Sequence, residues 1–278
     1  MPSYTPPLTH LLTYGDCRQL RGWPDYVKLG FGPEHAPELI RMALDEDLHR
    51  ADSDSLDVWA PIHAWRTLGQ LRAEAASEPL LALLQRIDDD GDDWVGEELP
   101  RVYGLIGPAA IPVLARYLAD PQQGLWARVA ACHGLSEIGQ QHPDSRAECV
   151  AVITRQLEHY GEQDPTLNAF LFSRLLDLRA VESALVIERA FAADAIDPTV
   201  AGDWEDAQVE LGLKAKRSTP PPDYLSKQLG FDRHEFLNML KRAATQKPAS
   251  DGDPRLLNWQ PAQTAPSTSK KRRRRKKS

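Results

Sequence analysis

The sequence of 278 residues predicts an all-α protein, an α-solenoid of about five stacked helical hairpins. Two repeated patterns and one absence indicate this class. The pattern G-P-x-x-apolar-P-x-L-x-R begins at Gly32 and again at Gly107. Trp59, Trp94 and Trp126 recur at intervals of 35 and 32 residues, and each is followed nine residues later by Leu or Tyr and then a small residue. The sustained apolar–polar alternation typical of strands is missing from the sequence.

The elements follow in order along the chain. Residues 1–31 should form an N-terminal helical cap, because terminal units of a solenoid are usually atypical in sequence. Residues 32–213 should form the repeat domain, in which each unit reads as two helices. The first helix runs for about a dozen residues, as in 59–71, and the second has proline in its first turn, where a missing N–H is tolerated. Four glycines are predicted to end helices, since a residue without Cβ often stops one: Gly69, Gly104, Gly107 and Gly139.

The composition changes after residue 213. Residues 214–245 should hold a linker and one C-terminal helix, from Asp232 to Ala244. Residues 246–278 are rich in Pro, Ser, Thr and Lys, which predicts a disordered tail. The tail contains eight consecutive basic residues, called here the basic run: Lys270, Lys271, Arg272, Arg273, Arg274, Arg275, Lys276 and Lys277.

Three segments of the repeat domain, 64–71, 103–112 and 134–139, resemble HEAT-like repeats of the type found in phycocyanobilin lyases and in many bacterial proteins. The resemblance covers roughly residues 30 to 213. It implies the solenoid fold and says little about function. Relatives of this class can end in a cysteine-rich zinc motif, but this chain has no cysteine after Cys149, so the resemblance implies no zinc module here.

Charge and composition exclude several classes of protein. The net charge is −7, but eight of the 33 basic residues lie in the basic run, so the rest of the chain has 25 against 40 acidic residues. That acidic body is unlike a domain that binds nucleic acid throughout. The sequence shows neither a bilayer-spanning apolar stretch nor a secretory leader, and its three cysteines are isolated, which favours a cytoplasmic protein, or a nuclear one in a eukaryote, with no membrane partner.

Catalytic motifs fail at defining positions. The segment 30–35 lacks the third glycine of a dinucleotide loop, and 234–238 has Asn where a zincin needs its second His. Read as a calcium loop, 86–97 places Arg86 at the first ligand position, where it cannot coordinate the ion. We therefore expect a protein that is not an enzyme and that has neither a cofactor nor a metal site.

Acidic residues cluster at the first two junctions between units. Stacked antiparallel hairpins place such junctions on one edge, so we expect an acidic edge that attracts a basic protein partner or divalent cations and repels phosphates. The alternative is a set of solvated loops whose last Asp caps the next helix. The candidate partner-binding acids are Asp52, Asp54, Asp88, Asp89, Asp90, Asp92 and Asp93.

The repeated tryptophans, with Trp204 as a fourth, predict a ladder that packs each unit on the next, or else a stacking surface for a linear tetrapyrrole. His63 with Trp59 and Arg66 is the best pocket candidate from the sequence, although a single helical His often has a structural role. Arg66, Arg101 and His133 occupy equivalent positions of three units. Such a position could bind an acidic partner or neutralise loop acids, so Trp59, His63, Arg66 and Arg101 complete the candidate site.

These observations predict a protein-interaction scaffold or adaptor with an unidentified, basic partner. The alternative is a nucleic-acid- or ribosome-associated protein that binds through the basic run, with a bilin lyase-like enzyme or a chaperone as weaker readings. The run itself has three interpretations: non-specific nucleic-acid binding by counterion release, a nuclear localisation signal, or docking on the chain's own acidic edge. The sequence leaves these open.

Overall fold

The computed structural model describes residues 4–222, whose regular structure is entirely helical, with no strand among them. The all-α prediction is confirmed for this part of the chain. The predicted helix at 232–244, the tail 246–278 and the basic run lie outside the described residues.

Twelve α-helices and eight short 3-10 helices make up this part of the chain. The α-helices are α1 (Ala36–Ala43), α2 (Glu46–His49), α3 (Ala60–Gln70), α4 (Leu81–Asp90), α5 (Asp93–Ile106), α6 (Ile111–Ala119), α7 (Leu125–Gln141), α8 (Arg146–Leu157), α9 (Pro165–Asp177), α10 (Ala184–Ala192), α11 (Pro198–Ala201) and α12 (Trp204–Glu210).

The helices pack in two rows. In the first row α3, α5, α7 and α9 contact one another in chain order. In the second row α6, α8 and α10 do the same, and α4 packs against α5 and α7. One apolar core, which extends from Tyr4 to Leu211, joins the rows.

Helices α1, α4, α6, α8 and α10 share a way of starting. A 3-10 helix of three residues leads into each of them: Pro33–His35, Glu74–Ala76, Pro108–Ala110, Pro143–Ser145 and Val181–Ser183. Pro37 and Pro112 lie in the first turns of α1 and α6, as the sequence predicts. Pro79 stands just before α4 rather than inside it.

The four glycines lie near helix ends, as predicted, but three of the helices do not stop at them. Gly69, Gly104 and Gly139 lie in the last turns of α3, α5 and α7, which continue past them. They are small because another helix approaches closely: a Cβ on Gly104 would lie 2.9 Å from Cβ of Glu137 and would also collide with Gln141. Only Gly107 follows its helix with a positive φ, 91°, a conformation that favours glycine.

The N-terminal segment, residues 4–31, contains two 3-10 helices, Leu8–Thr13 and Cys17–Gln19, and no α-helix. It is tied to α3 by Gln70, whose side chain accepts from the Tyr26 amide and donates to the Pro24 carbonyl at 2.9 and 2.7 Å. The predicted cap therefore covers α3 with irregular chain held by hydrogen bonds.

Among residues 4–222 no single helix is long and apolar enough to cross a membrane. The pair formed by α5 and residues 108–119 meets the length and composition criteria only jointly, across a bend of 116°.

Candidate functional site

The connections that lead from the second row to the first lie side by side. The carboxylate of Asp88, at the end of α4, accepts from the amides of Trp126 and Ala127 at the start of α7. The Asn168 side chain donates to the carbonyls of Tyr160 and Ala195, which belong to two successive connections. Arg86 of α4 faces Glu46 of α2, and Arg128 of α7 donates to Gln163 before α9. Together these contacts place the connections before α3, α5, α7, α9 and α11 on one edge, called here the acidic edge.

The opposite connections also lie together, and their charge is mixed. Arg146 donates to the Leu178 carbonyl at 2.8 Å and pairs with Glu182. The His142 ring lies 2.9 Å from the Gly104 carbonyl. Cations and acids therefore stand together in the opposite connections.

Many carboxylates of the acidic edge cap helices. Asp92 accepts from the Val95 amide at 3.2 Å and caps α5, and Asp88 caps α7 from a different helix. Further N-caps of this edge accept from the first turns of α2, α9, α11 and α12: Asp45, Asp164, Asp197 and Asp203. Asp88 and Asp92 thus have structural partners, and the capping alternative holds for them.

The remaining predicted acids are exposed: Asp52, Asp54, Asp89, Asp90 and Asp93. Asp52 accepts from the Asp54 amide at 3.0 Å in a local turn, and Asp89 accepts from Gln85 at 3.2 Å. Asp90 faces Arg86 at 3.4 Å. These five carboxylates are available to solvent and are called here the acidic rim. Asp52, Asp54 and Asp93 are chain neighbours of residues that line a pocket, namely Ser53, Asp92 and Trp94.

This pocket, called here the tryptophan pocket, has a volume of about 230 Å³. Its aromatic wall consists of Trp59, Trp65 and Trp94, and the rings of Trp59 and Trp94 meet edge to face with centroids 5.5 Å apart. Trp59 is almost buried, whereas Trp94 is half-buried. Sites for drug-sized ligands measure about 300–1,000 Å³, so this pocket suits one side chain better than a linear tetrapyrrole.

Two arginines line the tryptophan pocket. Arg18 pairs with Asp16 through two bonds of 2.7 and 3.0 Å, and its guanidinium lies over the Trp59 ring at 4.8 Å. Arg86 faces three carboxylates at 3.3–3.5 Å: Glu46, Asp90 and Asp92. Arg50 also pairs with Glu46, at 3.2 Å, so two arginines face three carboxylates and this side of the pocket keeps one negative charge in excess.

The four repeated tryptophans contact aromatic residues in separate groups. Besides Trp59 with Trp94, Trp126 meets Phe170 edge to face at 5.7 Å. Trp204 lies near Phe191, with centroids 6.4 Å apart, and Phe191 also meets Phe172 at 5.1 Å. The predicted ladder therefore takes the form of separate groups, whose phenylalanines were not expected from the tryptophan spacing.

His63 is fully buried and lies in a polar cluster of the core. Its ring is 2.7 Å from the Tyr26 hydroxyl, 2.9 Å from the Gly15 carbonyl and 3.5 Å from Cys17 Sγ. Burial lowers the pKa of His63, and burial raises the pKa of the Cys17 thiol to about 12. A neutral ring beside an un-ionised thiol is a structural element rather than an activated nucleophile.

Arg66 is also buried. Its guanidinium donates to both carboxylate oxygens of Glu98, and the bond from Nε measures 2.7 Å. Trp65 Nε1 donates to the same carboxylate at 3.2 Å. Burial is the largest single influence and opposes the charge of Arg66, but the hydrogen bonds to Glu98 together with the charge interactions with Cys17, Glu98 and Tyr26 raise the Arg66 pKa. His63 and Arg66 cannot contact a partner at the surface, because they are 0% and 3% exposed.

The equivalent position in the next unit behaves differently. Arg101 is exposed, and its guanidinium lies 4.7 Å from the Trp23 ring, whose neighbour on α3 is Arg66 at 5.4 Å. His133, one unit later, is 3.5 Å from Glu137. The position that holds Arg66, Arg101 and His133 in three successive units thus has three different environments. Of its two arginines, Arg101 is accessible and Arg66 is not. Glu98 and Tyr26 gave no signal in the sequence, because nothing marks a single Glu or Tyr as buried.

Residues 4–222 contain no group of three His, Cys, Asp or Glu side chains arranged to hold a metal ion. Comparison with protein-family models, with curated proteins and with solved structures finds no match for the chain. The resemblance to HEAT-like repeats therefore remains a prediction from the sequence.

Proposed function

We propose that the chain is a non-enzymatic protein-interaction scaffold, an α-solenoid of about five HEAT-like hairpins whose acidic edge holds a basic segment of a partner protein. The observation that carries the proposal is an aromatic pocket lined by Asp92, with five exposed carboxylates in the connections on the same edge. Basic segments are attracted to such a field, and aromatic walls supply apolar contact that solvated loops lack.

The two rows of helices and the separation of the two edges support the solenoid arrangement. The five helices entered through a 3-10 turn match the number of predicted hairpins. In α-solenoids, successive units stack into extended surfaces that bind other proteins.

A direct test measures binding of fluorescein-labelled octapeptides to the full chain by anisotropy. The protein carries Gln in place of the eight residues of the basic run, so that this run does not compete. We expect a basic peptide to bind and an acidic peptide of equal length not to bind. Binding should weaken between about 50 mM and about 1 M salt, as screening shortens the Debye length.

The location is tested with two double variants of equal charge change. Asp52→Asn with Asp54→Asn should weaken binding of the basic peptide several-fold, because both acids lie on the acidic edge. Glu74→Gln with Asp144→Asn removes two exposed acids from the opposite connections and should have little effect. Equal losses in the two variants would contradict the proposal.

The basic run favours a second function, association with nucleic acid or ribosomes, since such runs bind phosphates by counterion release. Comparing ribosome co-sedimentation of the natural chain and the Gln-substituted chain at physiological salt separates the two. Loss of co-sedimentation only on substitution would support this second function.

A further inference from the structure

The tryptophan pocket is more specific than a general acidic surface requires. It combines an aromatic wall, a volume suited to one side chain and one negative charge in excess. We propose that this pocket binds one arginine side chain of the basic partner segment, with the guanidinium packed on the Trp59 and Trp94 rings and directed to Asp92. This inference rests on the proposed function and names the side chain that anchors the partner.

The chain's own Arg18 shows what the pocket accepts. Its guanidinium already lies on the Trp59 ring at 4.8 Å, which is the geometry of a cation–π contact. The Arg18 side chain is 64% exposed, and its ion-pair partner is Asp16, two residues earlier in the chain. Such an arm is easily displaced, so Arg18 occupies part of a surface that a partner arginine can take over.

The charge around Arg86 favours a cationic guest. Asp90, Asp92 and Glu46 lie 3.3–3.5 Å from this guanidinium, and Glu46 also pairs with Arg50, so three carboxylates face two arginines and one negative charge remains for a further donor. Arg18 and Asp16 neutralise each other, and His49, which also lines the pocket, is uncharged near neutral pH because burial lowers its pKa. An anionic guest would meet the same excess of negative charge and be repelled.

Arginine fits this pocket better than lysine for geometric reasons. Its guanidinium is planar, stacks on aromatic rings and offers five donors, whereas the lysine ammonium is a compact and strongly hydrated charge. Quaternary ammonium groups such as trimethyl-lysine also bind aromatic cages. The pocket wall here carries the Asp92 carboxylate beside the rings, and this carboxylate can accept from N–H donors, which trimethyl-lysine lacks.

The test uses three octapeptides that are identical except at one central position, which is Arg, Lys or trimethyl-Lys within an otherwise basic sequence. Binding to the full chain with the Gln-substituted basic run is measured by calorimetry at about 50 mM salt. We expect the Arg peptide to bind about tenfold more tightly than the Lys peptide, as for a partly desolvated cation–π contact. Equal affinities, or a preference for trimethyl-Lys, would overturn the proposal.

Two variants locate the effect. Trp94→Leu should remove the preference for Arg while leaving the affinity for the Lys peptide nearly unchanged. Trp126→Leu is the matched control, because Trp126 holds the equivalent position outside the pocket and is 45% exposed; it should leave the preference intact. Circular dichroism confirms that each variant is folded.

Arg18→Ala keeps the test decisive if Trp94→Leu does not fold, because Arg18 is a surface side chain. Freeing the Trp59 ring should strengthen binding of the Arg peptide about threefold, the scale of one exposed cation–π contact. Weaker or unchanged binding of the Arg peptide in this variant would count against the pocket.

The failures of the two proposals are distinguishable. If all peptides bind equally and the Asp52/Asp54 double variant still weakens them, the acidic edge stands and the arginine pocket falls. If none of the peptides binds, both proposals fail.

Discussion

Two aromatic pairs at equivalent positions of the fold have nearly the same geometry and different surroundings. Trp59 meets Trp94 at 5.5 Å and 81°, and Trp126 meets Phe170 at 5.7 Å and 75°. Yet Trp59 is 8% exposed and Trp126 is 45% exposed.

The difference comes from the N-terminal segment. It packs on α3, and its Arg18 covers the Trp59 ring, whereas Trp126 has no such arm over it in the described structure. The repeat thus determines how two rings meet, and a non-repeated segment determines whether they become a pocket or an exposed surface. The predictions below compare the first region, around α3 and α5, with the second, around α7 and α9.

The largest effect should come from Glu98→Ala in the first region. This variant leaves Arg66 buried without its carboxylate, and breaking a buried ion pair costs about 3–5 kcal/mol of the free energy of unfolding. The equivalent position of the second region already holds a buried alanine, Ala130. Urea unfolding provides the measurement.

The matched control for that variant removes both charges, Arg66→Met with Glu98→Leu. It should recover most of the lost stability, because an apolar pair of similar volume replaces a desolvated ion pair. A double variant as unstable as Glu98→Ala would show that the ion pair itself is not the cause.

Truncating one tryptophan in each region compares their burial directly. Trp59→Ala should lower the free energy of unfolding by about 3 kcal/mol, near the lower end for a buried Trp because the pocket is partly open. Trp126→Ala should cost about 1 kcal/mol, since nearly half of its surface remains in water. Equal costs would contradict the contrast between the regions.

The junction between the regions is tested at Gly104. A methyl group there collides with Glu137 and Gln141 on α7, so Gly104→Ala should destabilise by about 2 kcal/mol through overpacking. Gly96→Ala in the same helix is the control, because its Cβ would meet only Ile87 at 3.8 Å. Helix propensity should make this control neutral or stabilising by up to about 1 kcal/mol in the same thermal melt.

The smallest effect concerns pH. Burial lowers the pKa of His63 in the folded state, so protons bind more readily to the unfolded chain. The stability contributed by neutral His63 is fully present above the unfolded pKa of about 6.5 and is lost as pH falls towards the folded value.

We expect the free energy of unfolding to fall by about 1 kcal/mol between roughly pH 7 and pH 5. His63→Gln should flatten this decline, whereas His159→Gln, an exposed histidine between α8 and α9, should preserve it. A decline that is identical in both variants would assign the effect to other groups, His49 first among them.

Local patterns made much of this fold predictable. The prolines of α1 and α6 and the spacing of the tryptophans indicate helix starts, because both depend on nearest neighbours in the chain. The role of Gly104 was not predictable in the same way, since a glycine near a helix end and a glycine under a crossing helix give the same sequence signal. The choice between them depends on α7, which lies more than twenty residues further along the chain.

The candidate site shows the same division. Exposure of Asp52 and Asp54 follows from their place in a polar loop, whereas the burial of His63 and Arg66 depends on Tyr26, Gly15 and Glu98, which reach them from other segments. Sequence reasoning could not separate the charged residues that are buried or cap helices from those that are exposed to solvent.

The capping of α7 by Asp88 has a consequence for how this chain could be rearranged. The carboxylate that caps the start of α7 belongs to α4. The first amides of α7 therefore donate to an acceptor from an earlier part of the chain. Deleting or duplicating residues 93–124 as a block would change which helix start Asp88 faces, although every repeat motif would survive. The helical segments are therefore not interchangeable. A graft of α7 into another protein would also need a carboxylate at the position that Asp88 occupies here.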